Sequence, residues 1–100
     1  MKERVLHLPL KGLYFDQIKS GEKLDEYRLC TPFWEKRIEE RRYDRIVLTR
    51  GYPKRDDAER RISRPWLGYT IEEILHPHFG KDPVRVYAIR VNGSEPAFSI

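Results

Sequence analysis

The stretch Gly21-Glu22-Lys23-Leu24-Asp25-Glu26-Tyr27-Arg28 decides how this chain is read. It is dense in charge, yet it follows a helical stretch and stands where a strand is expected to open. A half-buried strand alternates apolar and polar residues. Residues two apart share a face, which puts Glu26 and Arg28 together and beside Leu24. Opposite charges next to an apolar residue point to a partly enclosed polar site. A solvated edge strand with cross-strand ion pairs is the competing reading of the same residues.

Upstream, Arg4 to Leu8 reads as a short strand with Leu6 and Leu8 on one face, ended by Pro9, which cannot donate to a ladder. Leu10, Leu13, Tyr14 and Ile18 then recur at helical spacing and mark one apolar stripe. Gly21 ends that helix as a left-handed cap, and Lys23 stands at the mouth of the next strand. Downstream, Thr31 as N-cap and Pro32 in the first helical position open a second helix. Glu35 in its first turn and Arg41 and Arg42 in its last suit the helix dipole. Trp34 and Ile38 form its apolar stripe.

Arg45 to Tyr52 is the clearest strand, centred on Ile46-Val47-Leu48 and closed by Gly51 and Pro53. Lys54 to Glu59 is a charged loop. Arg61 to Ile74 has strand character, with Leu67, Tyr69 and Ile71 alternating and Gly68 marking a bulge or a close backbone approach. Thr70 to Leu75 fits a short helix as well. His76 to Pro83 reads as loop, Val84 to Val91 as the last strand, and Asn92 as the start of a polar tail expected to fray. Short strands with two helices in the N-terminal half imply an α+β fold, a small mixed barrel with helices packed on its ends.

One hundred residues make one domain, with a core over about 4–91 and a tail over 92–100. A hydrophobic content of 39% with 12% aromatics excludes a disordered chain. No apolar run approaches the roughly 20 residues of a membrane helix. Val5 to Leu10 is too short for the core of a secretory signal, and the single Cys30 allows no internal disulfide, so the cytoplasm is the expected compartment. The net charge of +4 is concentrated: residues 36–64 hold eleven Lys/Arg against six Asp/Glu. Such a cluster attracts anions and marks nucleic-acid contact, or serves solubility alone. His76 and His78 are metal-ligand types, but no Cys or acidic residue joins them at a zinc spacing, so neither metal nor cofactor is expected.

Gly21-x-Lys23-x-x-Glu26-x-Arg28 resembles the Gly-x-Lys-x-x-Glu-x-Arg signature of ASCH domains, relatives of the PUA fold. The helix around Leu13 to Ile18, Thr31-Pro32, the strand at Ile46-Val47-Leu48 and Leu67-Gly68 fit the same pattern, so the resemblance spans Leu6 to Val91. It implies a PUA-like β-barrel of about five or six strands with a helix closing one end. It also implies a cleft lined by the signature residues and by basic and aromatic groups, with RNA as partner and, in some members, ribonuclease activity. One branch resembles amidohydrolases that remove the acetyl group from acetylated cytidine, the motif lysine activating a threonine while a separate glutamate assists. This chain carries Glu26 where that branch carries the threonine. A carboxylate acts as nucleophile or base but cannot form the same hydroxyl-derived acyl ester.

Lys23 and Glu26 are therefore the candidate catalytic residues. Solvated, Lys23 is a cation for phosphate; desolvated among cations it becomes a base, a role the neighbouring Glu26 opposes. Glu26 accepts from a base amino group, acts as general base on a ribose hydroxyl or a water, or merely pairs with Arg28. Arg28 offers a planar fork for phosphate or carboxylate. Arg50, Tyr52, Arg64, Trp66 and Tyr69, on strands expected beside the motif strand, join Lys23 and Arg28 as candidate nucleic-acid contacts, because bases stack on rings while phosphates pair with cations. Trp66 and Tyr69 serve equally as core packing. Capping accounts for Thr31, buried packing for Cys30, and Tyr87 faces either core or cleft. Three functions remain open. They are binding of single-stranded RNA or a nucleotide with or without cleavage, hydrolysis of an acylated cytidine nucleoside, and a non-catalytic interaction module.

Overall fold

The computed structural model describes residues 2–93. The elements run β1 (Val5–Leu10), α1 (Gly12–Lys19), β2 (Asp25–Leu29), α2 (Pro32–Ile38), β3 (Arg45–Arg50), β4 (Arg61–Pro65), β5 (Tyr69–Ile74) and β6 (Val84–Arg90). Short 3-10 turns occupy Ala58–Arg60 and Pro77–Phe79. The fold is α+β. Its strands form two three-stranded sheets, β1-β3-β4 and β2-β6-β5, and neither closes into a barrel. In the first, β1 runs parallel to β3 and β4 antiparallel to it. In the second, β6 is the centre, antiparallel to both neighbours.

One apolar cluster joins the sheets and helices: Leu6, Leu8 and Leu10 from β1, Phe15 and Ile18 from α1, Ile38 from α2, Ile46 and Leu48 from β3, Ile62 from β4 and Tyr87 and Ile89 from β6, with Val91. Each such side chain contributes roughly 1.5–3 kcal/mol when fully buried. The Tyr87 hydroxyl, deep in this cluster, donates to the Glu39 carboxylate. Among the described residues no helix is long and apolar enough to cross a membrane.

Several expectations are met in detail. Gly21 has φ +87° and ends α1 after Ser20. The Thr31 hydroxyl accepts from the Trp34 N–H at 3.4 Å, with Pro32 in the first turn of α2. Others are corrected. Pro9 lies inside β1, opposite Thr49, instead of ending it. Its carbonyl accepts from Arg28 at 3.2 Å, and the nitrogen of a strand residue points to the same side as its carbonyl, so the missing N–H falls on the free edge of the sheet. The apolar stripe of α1 is Phe15 and Ile18, while Leu13 is 64% exposed and Leu10 belongs to the strand. α2 ends at Ile38, so Lys36 and Arg37 take the dipole role expected of Arg41 and Arg42.

The stretch from Arg61 to Ile74 is two strands in different sheets. Gly68, at φ +86°, turns the chain between them, and no neighbour crowds it. Thr70 to Ile74 is strand, not helix. Asn92 is tied down: its side-chain amide donates to the carbonyls of Ile18 at 2.8 Å and Lys23 at 2.7 Å. The remainder of the expected tail, 94–100, lies outside the described residues.

Candidate functional site

β1 and β2 are edge strands of different sheets. Between them opens a hollow of about 390 Å³. Its most buried polar group is Glu26, 3% exposed. Strand alternation turns Glu26 and Arg28 to the same side of β2, and the turn after Gly21 brings Lys23 alongside. Backbone bonds fix that turn: the Lys23 N–H donates to the Gln17 carbonyl at 3.0 Å, and Asn92 holds the Lys23 carbonyl.

The carboxylate lies between two cations. Arg28 donates to Glu26 Oε2 at 2.5 Å, and the same guanidinium nitrogen reaches the Tyr27 carbonyl at 2.9 Å. Lys23 Nζ stands 3.0 Å from Glu26 Oε1. That contact is an ion pair, and among the described residues no further donor reaches the buried Oε1. Each cation also faces a ring: Lys23 lies 4.7 Å and 4.8 Å from the Tyr14 and Tyr27 centroids, and Arg28 5.3 Å from that of Trp34. Rings therefore flank the carboxylate on two sides. Burial, and then Asp25, raise the Tyr27 hydroxyl above its ordinary range, so it stays protonated further into the alkaline range than an ordinary tyrosine.

The 3-10 turn at Pro77–Phe79 brings His76 and His78 to the rim. His76 packs edge-on to Tyr14 and Tyr27, with centroids 5.9 Å and 6.2 Å apart. Its Nδ1 accepts from the His78 N–H at 3.1 Å. His78 Nδ1 lies 3.3 Å from the Lys11 ammonium, which can only donate. Both neutral rings therefore carry their proton on Nε2 and offer donors to a ligand. Partial burial of its ring, then the Lys11 charge, hold His78 below the usual imidazole range. Among the described residues no three His, Cys, Asp or Glu side chains gather as a metal site.

The structure brings Lys23, Glu26 and Arg28 together and places the other sequence candidates elsewhere. Arg50 pairs with Asp16 at 3.3 Å, its guanidinium lying over Gly12 where a Cβ would collide with it. Tyr52 is 92% exposed. Arg64 sits opposite Ile46 in the β3–β4 ladder. Trp66 packs on the core and on Tyr43, with centroids 5.2 Å apart, and Tyr69 packs edge-on to Tyr87 at 5.4 Å. None of the five lines the hollow. Thr31 does line it, its hydroxyl serving as the cap acceptor. Burial raises the thiol of half-buried Cys30, against the thiolate form a nucleophile needs.

Sequence reading missed Tyr14, Tyr27, Trp34 and the two histidines as members of the site. The His-Pro-His sequence was visible, but nothing local says that a loop after β5 reaches the edge of β2. No family model, curated protein or solved structure significantly matches this chain.

Proposed function

We propose that this chain is an RNA-directed domain of the ASCH type that takes one unstacked base of a single strand into the hollow over Glu26. The two sheets are read here as the halves of a small PUA-like barrel, open along the β1–β2 side. The observation that carries the functional reading is the buried Glu26 Oε1, which has the Lys23 ammonium beside it and no further donor among the described residues. Buried polar atoms cost free energy unless a partner is supplied. A base amino group supplies one, while the rings of Tyr14, Tyr27 and Trp34 offer stacking and Arg28 and Lys23 attract the backbone. A volume near 390 Å³ fits a ligand the size of a nucleoside.

Hydrolysis of an acylated cytidine is the second reading, because a buried carboxylate beside an ammonium suits general acid–base work. Among the described residues the only Ser or Thr hydroxyl lining the hollow is that of Thr31, already engaged as a cap, so water activated by Glu26 is the attacking group in that scheme. Binding requires less of the site and is the reading adopted.

Titration of labelled single-stranded RNA at rising salt tests it. Affinity is expected to fall steeply with salt and to drop at least tenfold in Glu26→Gln and Lys23→Ala. Affinity flat in salt, or absent in dilute buffer, rejects the reading. Release of the free acid from N-acylated cytidine by wild type but not by Glu26→Gln replaces it with the hydrolase.

A further inference from the structure

A second hollow, of about 500 Å³, lies against the first and shares Pro9, Arg28, Phe33 and Trp34 with it. The two differ in charge. The first is built around a carboxylate; the second is lined by Arg28, Arg37, Arg41 and His7 and, among the described residues, by no Asp or Glu. Arg37 lies 3.5 Å from the Phe33 ring centroid and spends one nitrogen on the Phe33 carbonyl at 2.9 Å. The rest of its fork remains for another acceptor. Arg41 is exposed. A third hollow shares Arg41 with the second, but Glu40 enters its lining, so the carboxylate-free surface ends there.

We propose that the second hollow is a phosphate subsite, holding the backbone phosphate of the nucleotide next to the one whose base sits over Glu26. This rests on the reading given under Proposed function and narrows it: the ligand is a strand, not a free nucleoside. A base is joined to its own phosphate through one ribose, so a base in the first hollow brings that phosphate to the rim, and the next phosphate of a strand falls beyond it in the second hollow. The rim shared with the second hollow carries Arg28, whose guanidinium belongs to both. Lys11, on the other side, directs its ammonium at His78. Arginine forks match phosphate oxygens two at a time. Arg28 is already held by Glu26 and the Pro9 carbonyl, so Arg37 and Arg41 supply the forks of the second hollow.

The test compares each of the four nucleoside monophosphates, titrated by NMR, with the matching homopentamer RNA. The best pentamer is expected to bind at least tenfold tighter than its monophosphate. Arg37→Ala/Arg41→Ala removes that gain, lowers the salt slope by about 0.7, the share of one phosphate, and leaves monophosphate affinity within twofold. Arg41→Glu, a change on an exposed side chain, moves the pentamer the same way without touching α2 packing. Equal affinity for pentamer and monophosphate, or a gain that survives in both variants, overturns the subsite alone. Failure of the wild type to bind any monophosphate overturns the base site, and the subsite with it.

Discussion

Where β4 passes into β5, rings fill the junction between the two sheets; where β1 faces β2, charges line it. At the first junction Trp66 lies on Tyr43 and Tyr69 on Tyr87, all packed on the common core. At the second, Arg28 reaches across from β2 to the Pro9 carbonyl of β1, and Lys23 and Arg28 hold Glu26 between them. One junction gains stability from excluded water. The other buries a carboxylate that is compensated by charge, an arrangement that seldom beats apolar packing. Apolar packing concentrates at one side of the molecule and compensated charge at the other.

Truncation of the packed side has the largest expected effect. Trp66→Ala should cost about 3 kcal/mol in chemical denaturation and leave ligand affinity of the folded fraction within twofold. A loss of affinity beyond that would move Trp66 to the site and dissolve the contrast. Glu26→Gln comes next: with the carboxylate gone, Lys23 and Arg28 face each other, and about 2 kcal/mol of stability should go with the charge.

The contrast extends to pH. Tyr87, on the packed side, has its hydroxyl raised by burial and then by its bond to Glu39. Its raised value means that stability is complete below the ordinary 10.0 and is lost as pH climbs beyond it. His78, on the open side, is depressed, so its contribution is present above the ordinary 6.5 and is lost as pH falls below it. Melting temperatures should decline on both flanks, with the acid flank flattened in His78→Gln and the alkaline flank in Tyr87→Phe. The smallest effect is reserved for Tyr52→Ala, on an exposed side chain that lines neither hollow. Stability should move by less than about 0.5 kcal/mol, and RNA affinity should not change.

The motif was legible because its chemistry is local. Spacing alone put Glu26 and Arg28 on one face, and the positive φ at Gly21 follows from its place after α1. The Thr31-Pro32 cap and the Ile46-Val47-Leu48 strand were equally plain. What escaped was tertiary. Leu10 continues the periodicity of α1 but is held in β1, so counting from it drew Leu13 into the stripe and missed Phe15. Alternation along 61–74 does not reveal that one strand ends at Pro65 and the next joins another sheet. Nor does it tell which face of the edge strand β5 meets the core, which decides Tyr69, or that Trp66, just past β4, folds back onto Tyr43. His78 meets Lys11 across 67 positions, a contact that only the finished fold creates.

Asn92 stands almost at the end of the described chain, and its amide grips the two carbonyls that set the path from α1 into the Lys23 turn. β6, just before it, is the strand on which both β2 and β5 hang. During synthesis, then, Lys23, Glu26 and Arg28 leave the ribosome early but stay unassembled until β6 arrives. A prematurely terminated product carries every signature residue and no site.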